Sequence, residues 1–284
     1  MEPKTVLITG GNCGIGEATA TEMAVRGYRV IITARTADKA ETAVAEVAEA
    51  SRSSRVEYRL LDLASLESVR LLIAELHVEL DGLDVLINNA GIVQRDRTET
   101  ADGFESTFGV NHLGHFVLTN GLLDLLQAAA PSRIVVLSSG AHEFARSGLD
   151  FDDLQAEQKY SSMGAYGRSK LANLLFVHEL AKRLDGTGVT VNGVHPGAVR
   201  TRLGRDGDGG RLGSVAMTLL GPFFRSPEKG ARTSVYVATE PSLAEVSGAY
   251  FADEQQKEPR ATALDDEAAA RLWAISEELT SADR

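Results

Sequence analysis

Tyr166 and Lys170 stand four residues apart in the stretch Tyr166-Gly167-Arg168-Ser169-Lys170. On a helix that spacing is about one turn, so both side chains project from the same face. An unperturbed phenol has a pKa of about 10. An ammonium group held beside it favours the phenolate and lowers that value. Such a pair is suited to passing a proton to or from an alcohol oxygen near neutral pH. The same spacing also arises by chance on solvated helix faces, so the rest of the chain has to supply the context.

Ser138 and Ser139 follow the β-branched run Arg133-Ile134-Val135-Val136-Leu137. They fall at the C-terminal end of a strand, where open parallel sheets place their active sites. No Gly-x-Ser-x-Gly elbow surrounds either serine, which argues against a hydrolase nucleophile. Asn111 lies in Asn111-His112-Leu113-Gly114-His115, inside a helical pattern from Asp102 to Ala130 interrupted by glycines, Gly114 and Gly121 among them. A polar asparagine there either bulges the helix and holds a water or is a satisfied core amide. Without a nearby carboxylate or third imidazole, the two histidines are not expected to bind a metal.

The elements that must position these groups alternate between strand and helix. Thr5-Val6-Leu7-Ile8 reads as a buried first strand. It runs into Gly10-Gly11-Asn12-Cys13-Gly14-Ile15-Gly16 and then a helix from Glu17 to Arg26. Glycines in that position let the backbone approach a pyrophosphate, and the helix N-terminus adds N–H donors and a dipole. Arg29 to Thr33 is the second strand and delivers Ala34-Arg35. A carboxylate at that point binds an adenosine ribose hydroxyl, whereas an arginine accepts a 2′-phosphate. With Arg35 and no carboxylate, the expected cofactor is NADP(H) in preference to NAD(H). Arg55 to Leu61 is the third strand, closed by Asp62-Leu63. Asp62 is expected to reach an adenine amino group or to cap the helix that begins at Ser65. Val85-Leu86-Ile87 leads to Asn88-Asn89-Ala90-Gly91, small and polar enough to form a wall against a cofactor. Val189 to Val194 is the sixth strand and leads to His195-Pro196-Gly197.

Strand–helix alternation of this kind predicts an α/β fold, a doubly wound parallel sheet of about seven strands with helices on both faces. The 284 residues show no repeat or clear linker, so one domain spanning 1–284 is expected. A glycine-rich segment beginning at Gly204 precedes an apolar stretch, which reads as a lid over a hydrophobic substrate at 203–226 or as a core or partner-facing helix. A net charge of −11, from 29 basic and 40 acidic residues, argues against a nucleic-acid partner. The single cysteine, Cys13, allows no intramolecular disulfide and fits a reducing, cytoplasmic setting. No apolar run approaches the ~20 residues that would span a bilayer.

Taken together, Thr9-Gly10-x-x-x-Gly14-Ile15-Gly16, Asn88-Asn89-Ala90-Gly91, Ser139, Tyr166-x-x-x-Lys170 and Pro196-Gly197 resemble the short-chain dehydrogenase/reductase family over nearly the whole chain. Within it, Thr100-Ala101-Asp102-Gly103-Phe104-Glu105, Gly109 to Phe116 and Ser169-Lys170-Leu171-Ala172-Asn173 look most like the retinol dehydrogenase branch. The resemblance implies that Tyr166 is the general acid/base and that Lys170 lowers its pKa and bonds the nicotinamide ribose. It further implies that Ser139 holds the substrate oxygen and that Asn111 anchors a water in a proton relay. Gly10, Asn12, Gly14, Ile15, Gly16, Arg35, Asp62, Leu63, Asn89, Ala90, Gly91, Pro196, Gly197, Val199 and Thr201 would line the cofactor, with Tyr166 and Lys170. His142, Phe144, Tyr160, Leu203 and Phe223 would join Ser139 in the substrate pocket. The implied substrate is a small lipophilic carbonyl or alcohol, and a homodimer or tetramer is implied as well. Leu171 to Leu180 offers either a helix face for that assembly or a core stripe. The alternative to an enzyme is a non-catalytic dinucleotide-binding sensor or scaffold, which would be freer to lose Tyr166, Lys170 or Ser139.

Overall fold

The computed structural model describes residues 3–197 and 226–281. The expectations for Val199, Thr201, Leu203, Phe223 and all but the last residue of the 203–226 lid fall outside that range. Strands β1 (Thr5–Ile8), β2 (Arg29–Ala34), β3 (Val56–Leu60), β4 (Val85–Asn88), β5 (Ser132–Leu137), β6 (Val189–His195), β7 (Tyr250–Ala252) and β8 (Gln255–Lys257) form one sheet. Their order is β3-β2-β1-β4-β5-β6-β7-β8, parallel throughout except for the last pair. Among the described residues the sheet has eight strands, in line with the expected doubly wound sheet of about seven. β8 carries only Gln255, Gln256 and Lys257, all exposed, and so presents no apolar pattern to read.

Period-two alternation sends neighbouring side chains of each strand to opposite faces. In β1, Val6 and Ile8 enter one core while Leu7 enters the other. Helices α1 (Gly14–Val25) and α2 (Ala37–Ser51) cover the first of these faces. Helix α3 (Leu66–Glu79) covers the opposite face. The pattern expected from Asp102 to Ala130 resolves into α4 (Ser106–Phe108), a π-helical segment at Gly109–Leu113, α5 (Gly114–Gly121) and α6 (Leu123–Ala128). The helix starts at Ser106 because the buried Glu105 carboxylate accepts from the backbone N–H groups of Thr107 and Phe108 at 2.7 and 2.8 Å.

Helix α7 (Ser162–Arg183) carries Tyr166 and Lys170, and α8 (Pro227–Thr239) follows β6 in the described chain. The C-terminal helix α9 (Asp266–Thr280) lies against α7. Trp273 stacks on Phe176 at 5.7 Å between ring centroids and meets Phe116 edge-on at 5.0 Å. His112 Nε2 and Ser276 Oγ are 2.9 Å apart. The stripe from Leu171 to Leu180 is thus interior, with Leu171, Leu175 and Leu180 fully buried within one chain. Of its two readings, core is what the packing shows. No helix among the described residues is long and apolar enough to cross a membrane.

Asp62 does not cap α3. The cap is Ser65, whose hydroxyl accepts from Ser68 N, while the exposed Asp62 carboxylate turns back onto the N–H of Ala64 at 3.0 Å. The strand order reverses between β1 and β4, and the crevice beyond their C-terminal ends is where doubly wound sheets bind ligands.

Candidate active site

The glycine segment after β1 turns sharply into α1. Gly10 and Gly14 have φ of +61° and +56°, in the left-handed region that side chains disfavour. A Cβ on Gly16 would lie 2.2 Å from the Gly10 carbonyl oxygen, so the helix packs there only because nothing projects. The Cys13 side chain makes no capping bond to the first turn of α1. A glycine turn leading into a helix N-terminus without a side-chain cap is an arrangement that fits a pyrophosphate. Asn12 and Ile15 are half-buried on this loop, and Arg35 is exposed directly after β2. Leu63 is buried in the core beside Gly114, whose absent Cβ would meet the Leu63 carbonyl oxygen at 2.7 Å.

The turn after β4 is bolted to this loop. Asn89 Nδ2 donates to the carbonyls of Thr9 at 2.7 Å and Gly10 at 3.3 Å. The N–H groups of Asn89 and Ala90 both donate to the Thr9 hydroxyl at 2.9 Å. One residue further, a Cβ on Gly91 would lie 3.2 Å from Asn111 Oδ1 and 3.5 Å from Lys170 Nζ. Gly91 is the point at which the turn after β4 reaches Asn111 and Lys170.

Asn111 sits in the π-helical segment, the local widening that a polar residue in this apolar helix suggested. Its amide clamps Ile92, accepting from the N–H at 2.7 Å and donating to the carbonyl at 3.0 Å. The same amide donates to Ser169 Oγ at 3.0 Å, and Ser169 donates to the Tyr166 carbonyl at 2.8 Å. Lys170 Nζ donates to the Leu137 carbonyl at 3.0 Å, at the end of β5. Asn173 Nδ2 donates to that same oxygen at 3.1 Å, and Ser138 Oγ donates to the Lys170 carbonyl at 2.8 Å. The serine-bearing strand end and the lysine-bearing helix are therefore cross-tied in both directions.

Lys170 is 3% exposed, and burial lowers its pKa to about 8. It keeps its charge at neutral pH, 5.6 Å from the centroid of the Tyr166 ring. Burial pushes the Tyr166 phenol up, and the hydrogen bond with Ser139 pulls it back. In the protein alone, Ser139 rather than Lys170 is thus the neighbour that lowers the phenol, which differs from the expectation for Lys170. At neutral pH the phenol carries its proton.

Of the substrate-pocket candidates, Phe144 is exposed on the short 3-10 helix Gly140–Phe144, its Cβ beside Gly167. His142 is buried behind Ser139, donating from Nδ1 to the Ser139 carbonyl at 2.7 Å and packing on Tyr250. The Tyr160 hydroxyl donates to the Gln94 carbonyl at 2.9 Å, away from any lysine partner. Pro196 and Gly197 are half-buried after β6, and the N–H groups of Gly140 and Gly197 both donate to His195 Nδ1, at 3.2 and 3.3 Å. Thr9, Ser169, Asn173 and His195, present in the motifs without a role of their own, join the site here, as does the half-exposed Met163 one turn before Tyr166. Met163 is an apolar side chain in the first turn of α7. Among the described residues no three His, Cys, Asp or Glu side chains are arranged to hold a metal.

The family model described as short chain dehydrogenase matches residues 4–150 and 153–208. The chain belongs to the short-chain dehydrogenase/reductase family, whose members are nicotinamide-dependent oxidoreductases of alcohols and carbonyls. Within that family it falls on the retinol dehydrogenase branch. It is 48% identical to retinol dehydrogenase 14 of Homo sapiens over 98% of this chain and 86% of the relative. The crystal structure of an uncharacterized protein from Mycobacterium Paratuberculosis superposes with a TM-score of 0.78 at 38% identity, covering 98% of this chain and 93% of that one. The Pseudomonas aeruginosa RhlG/NADP active-site complex does so with a TM-score of 0.69 at 26% identity, covering 88% and 97%.

Lys170→Met keeps the packed stem, and the Leu137 carbonyl keeps its bond from Asn173. Because the folded-state pKa lies below the unfolded value of 10.5, the charged lysine disfavours folding fully below about pH 8. That cost disappears as pH rises from about 8 through 10.5. Urea unfolding should find Lys170→Met more stable than wild type by about 1–3 kcal/mol at pH 7, with the gap closing toward pH 10. A variant less stable at pH 7 would contradict the burial argument.

Proposed function

We propose that the protein is an NADP(H)-dependent oxidoreductase moving a hydride between nicotinamide and a lipophilic aldehyde, ketone or alcohol. The observation that carries this reading is the convergence of Tyr166, Ser139 and Lys170 at the C-terminal end of β5. A protonated phenol, a hydroxyl at its oxygen and a buried ammonium are what carbonyl reduction requires of a protein. When bound, the nicotinamide supplies or accepts the hydride.

In the reductive direction Tyr166 donates its proton to the carbonyl oxygen, and Ser139 donates a hydrogen bond to that oxygen as charge develops on it. The charged Lys170 then stabilises the phenolate that remains and bonds the cofactor ribose. Asn111, clamping Ile92 and bonded to Ser169, holds the π-helical segment where a water could relay the replacement proton. Gly10, Asn12, Gly14, Ile15 and Gly16 cradle the pyrophosphate. Asn89, Ala90, Gly91, Pro196, Gly197, Asp62 and Leu63 border the rest of the cofactor.

Preference for NADP(H) is supported by the exposed Arg35 immediately after β2 and by the absence of a carboxylate in Ala34-Arg35. The NADP in the related Pseudomonas aeruginosa complex agrees with it. A lipophilic substrate is supported by the exposed apolar side chains of Phe144 and Met163, 61% and 50% accessible beside the Tyr166 turn. A polyene alcohol of the kind named in the retinol dehydrogenases is one such substrate.

Tyr166→Phe should bind NADPH within about twofold of wild type and lose about 100- to 10,000-fold in turnover of a reactive lipophilic aldehyde. Near-normal turnover would overturn the mechanism. Arg35→Glu should weaken NADPH binding at least about tenfold and leave NADH binding unchanged or improved, read by fluorescence titration. Equal effects on both cofactors would remove the phosphate-binding role.

A further inference from the structure

His115 has no part in the chemistry above, yet its imidazole is buried between two backbone features of the site. Nδ1 lies 3.2 Å from the Asn111 carbonyl oxygen, and Nε2 lies 2.9 Å from the Thr9 hydroxyl. A carbonyl only accepts, so Nδ1 carries the ring hydrogen and Nε2 is the acceptor. The Thr9 hydroxyl then donates to Nε2 at 2.9 Å in preference to the Ile87 carbonyl at 3.5 Å, while its oxygen accepts from the N–H groups of Asn89 and Ala90. One line of bonds runs from the turn after β4, through Thr9 at the end of β1, through His115, to Asn111. Burial and the neighbouring Lys170 charge lower the His115 pKa to about 4, so this polarity holds across the working pH range.

We propose that His115 is a positioning residue that fixes the cofactor-facing turns at Thr9–Gly10 and Asn89–Ala90 relative to the Asn111–Lys170 acid–base end. The proposal rests on the oxidoreductase reading of the site. Its two ring nitrogens serve different ends: Nε2 orders the turns that border the cofactor, and Nδ1 orders the π-helical carbonyl beside the proton path. Cofactor affinity and turnover are therefore separable by substitution.

This helix already contains the needed precedent. Asn120 Nδ2 donates to the Phe116 carbonyl four residues back at 2.8 Å, the same offset as His115 to Asn111. Asparagine at 115 can therefore restore the Nδ1 bond, but it is too short to replace Nε2 at Thr9. Phenylalanine at 115 keeps a ring and removes both bonds.

The test measures NADPH dissociation constants by fluorescence and kcat with saturating NADPH and aldehyde for wild type, His115→Phe, His115→Asn and a packing control, His112→Phe. His112 lies among Phe108, Phe116 and Phe176, and its Nε2 is 2.9 Å from Ser276 Oγ on α9, so His112→Phe controls for the loss of a buried, hydrogen-bonded imidazole away from Thr9 and Asn89. His115→Phe should raise the dissociation constant and lower kcat, each by about tenfold. His115→Asn should keep kcat within about twofold and retain the weakened NADPH binding. His112→Phe should change neither quantity by more than about twofold.

Unchanged values in His115→Phe would overturn the proposal, as would equal losses in His115→Asn and His115→Phe or the same losses in His112→Phe. Should His115→Phe fail to fold, the split in His115→Asn decides alone: weakened binding with kept kcat supports the proposal, and any other pattern overturns it. Wild-type protein that neither binds NADPH nor turns over would sink the oxidoreductase reading and this proposal with it. An active wild type with indifferent His115 variants sinks this proposal only.

Discussion

An ammonium group at 3% exposure is costly to keep in a protein, and the neighbourhood of Lys170 is built around keeping it. Its direct anchor is the Leu137 carbonyl at the end of β5. That one bond fixes the last residue of a central strand against the middle of α7, the longest of the described helices. Because Ser139 is two residues beyond Leu137 and Tyr166 one turn before Lys170, holding the ammonium in place also sets the serine and the phenol. Asn173 and Ser138 reinforce the same joint from either side. The site is a property of the β5–α7 contact more than of any single loop.

Charge and burial act on the two proton-carrying groups in opposite senses. The cation is disfavoured by burial and its pKa falls to about 8, whereas the phenolate is disfavoured and the Tyr166 value rises. Both groups consequently hold their protons at neutral pH, the state from which a carbonyl is protonated. The opposite reaction starts from a phenolate and would draw on the nearby cation more heavily. The other half of the site depends on a different economy of space: a Cβ on Gly10, Gly16 or Gly91 would crowd its neighbours, and Gly14 takes a left-handed φ. Thr9 and Asn89 join these halves through backbone donors and acceptors, so the loop geometry is largely set before anything binds.

Much of the fold was legible because parallel strands buried on both faces read as short apolar runs, which gave β1, β2 and β4 to β6 within a residue or so at either end, whereas the edge strand β3 is half-exposed and carries Glu57 and Arg59. The start of α8 carries explicit signals, Pro227 in its first turn and Ser226 as its cap. β8 had no such signal, since an exposed edge strand of Gln255, Gln256 and Lys257 can pair by backbone alone. Motif spacing supplied the named site residues, but not their joinery. Thr9 and His115 are 106 residues apart, and no local pattern reports a contact of that separation. The apolar stripe of α7 was ambiguous for a related reason: a buried helix face has the same residue types whether α9 or a second chain covers it. The sign of the Tyr166 shift also needed coordinates, because it depends on how far desolvation exceeds the help of neighbours.

The most direct test of the account is isotopic. Purified protein would be incubated with NADPH carrying deuterium at C4 of the nicotinamide, using each C4 epimer in turn, and a panel of lipophilic aldehydes and ketones. Products would be read by mass spectrometry. The account predicts an alcohol with one deuterium on the carbinol carbon from one epimer and none from the other. Tight NADPH binding with no labelled alcohol from any member of the panel would contradict it and favour a dinucleotide-binding role without chemistry.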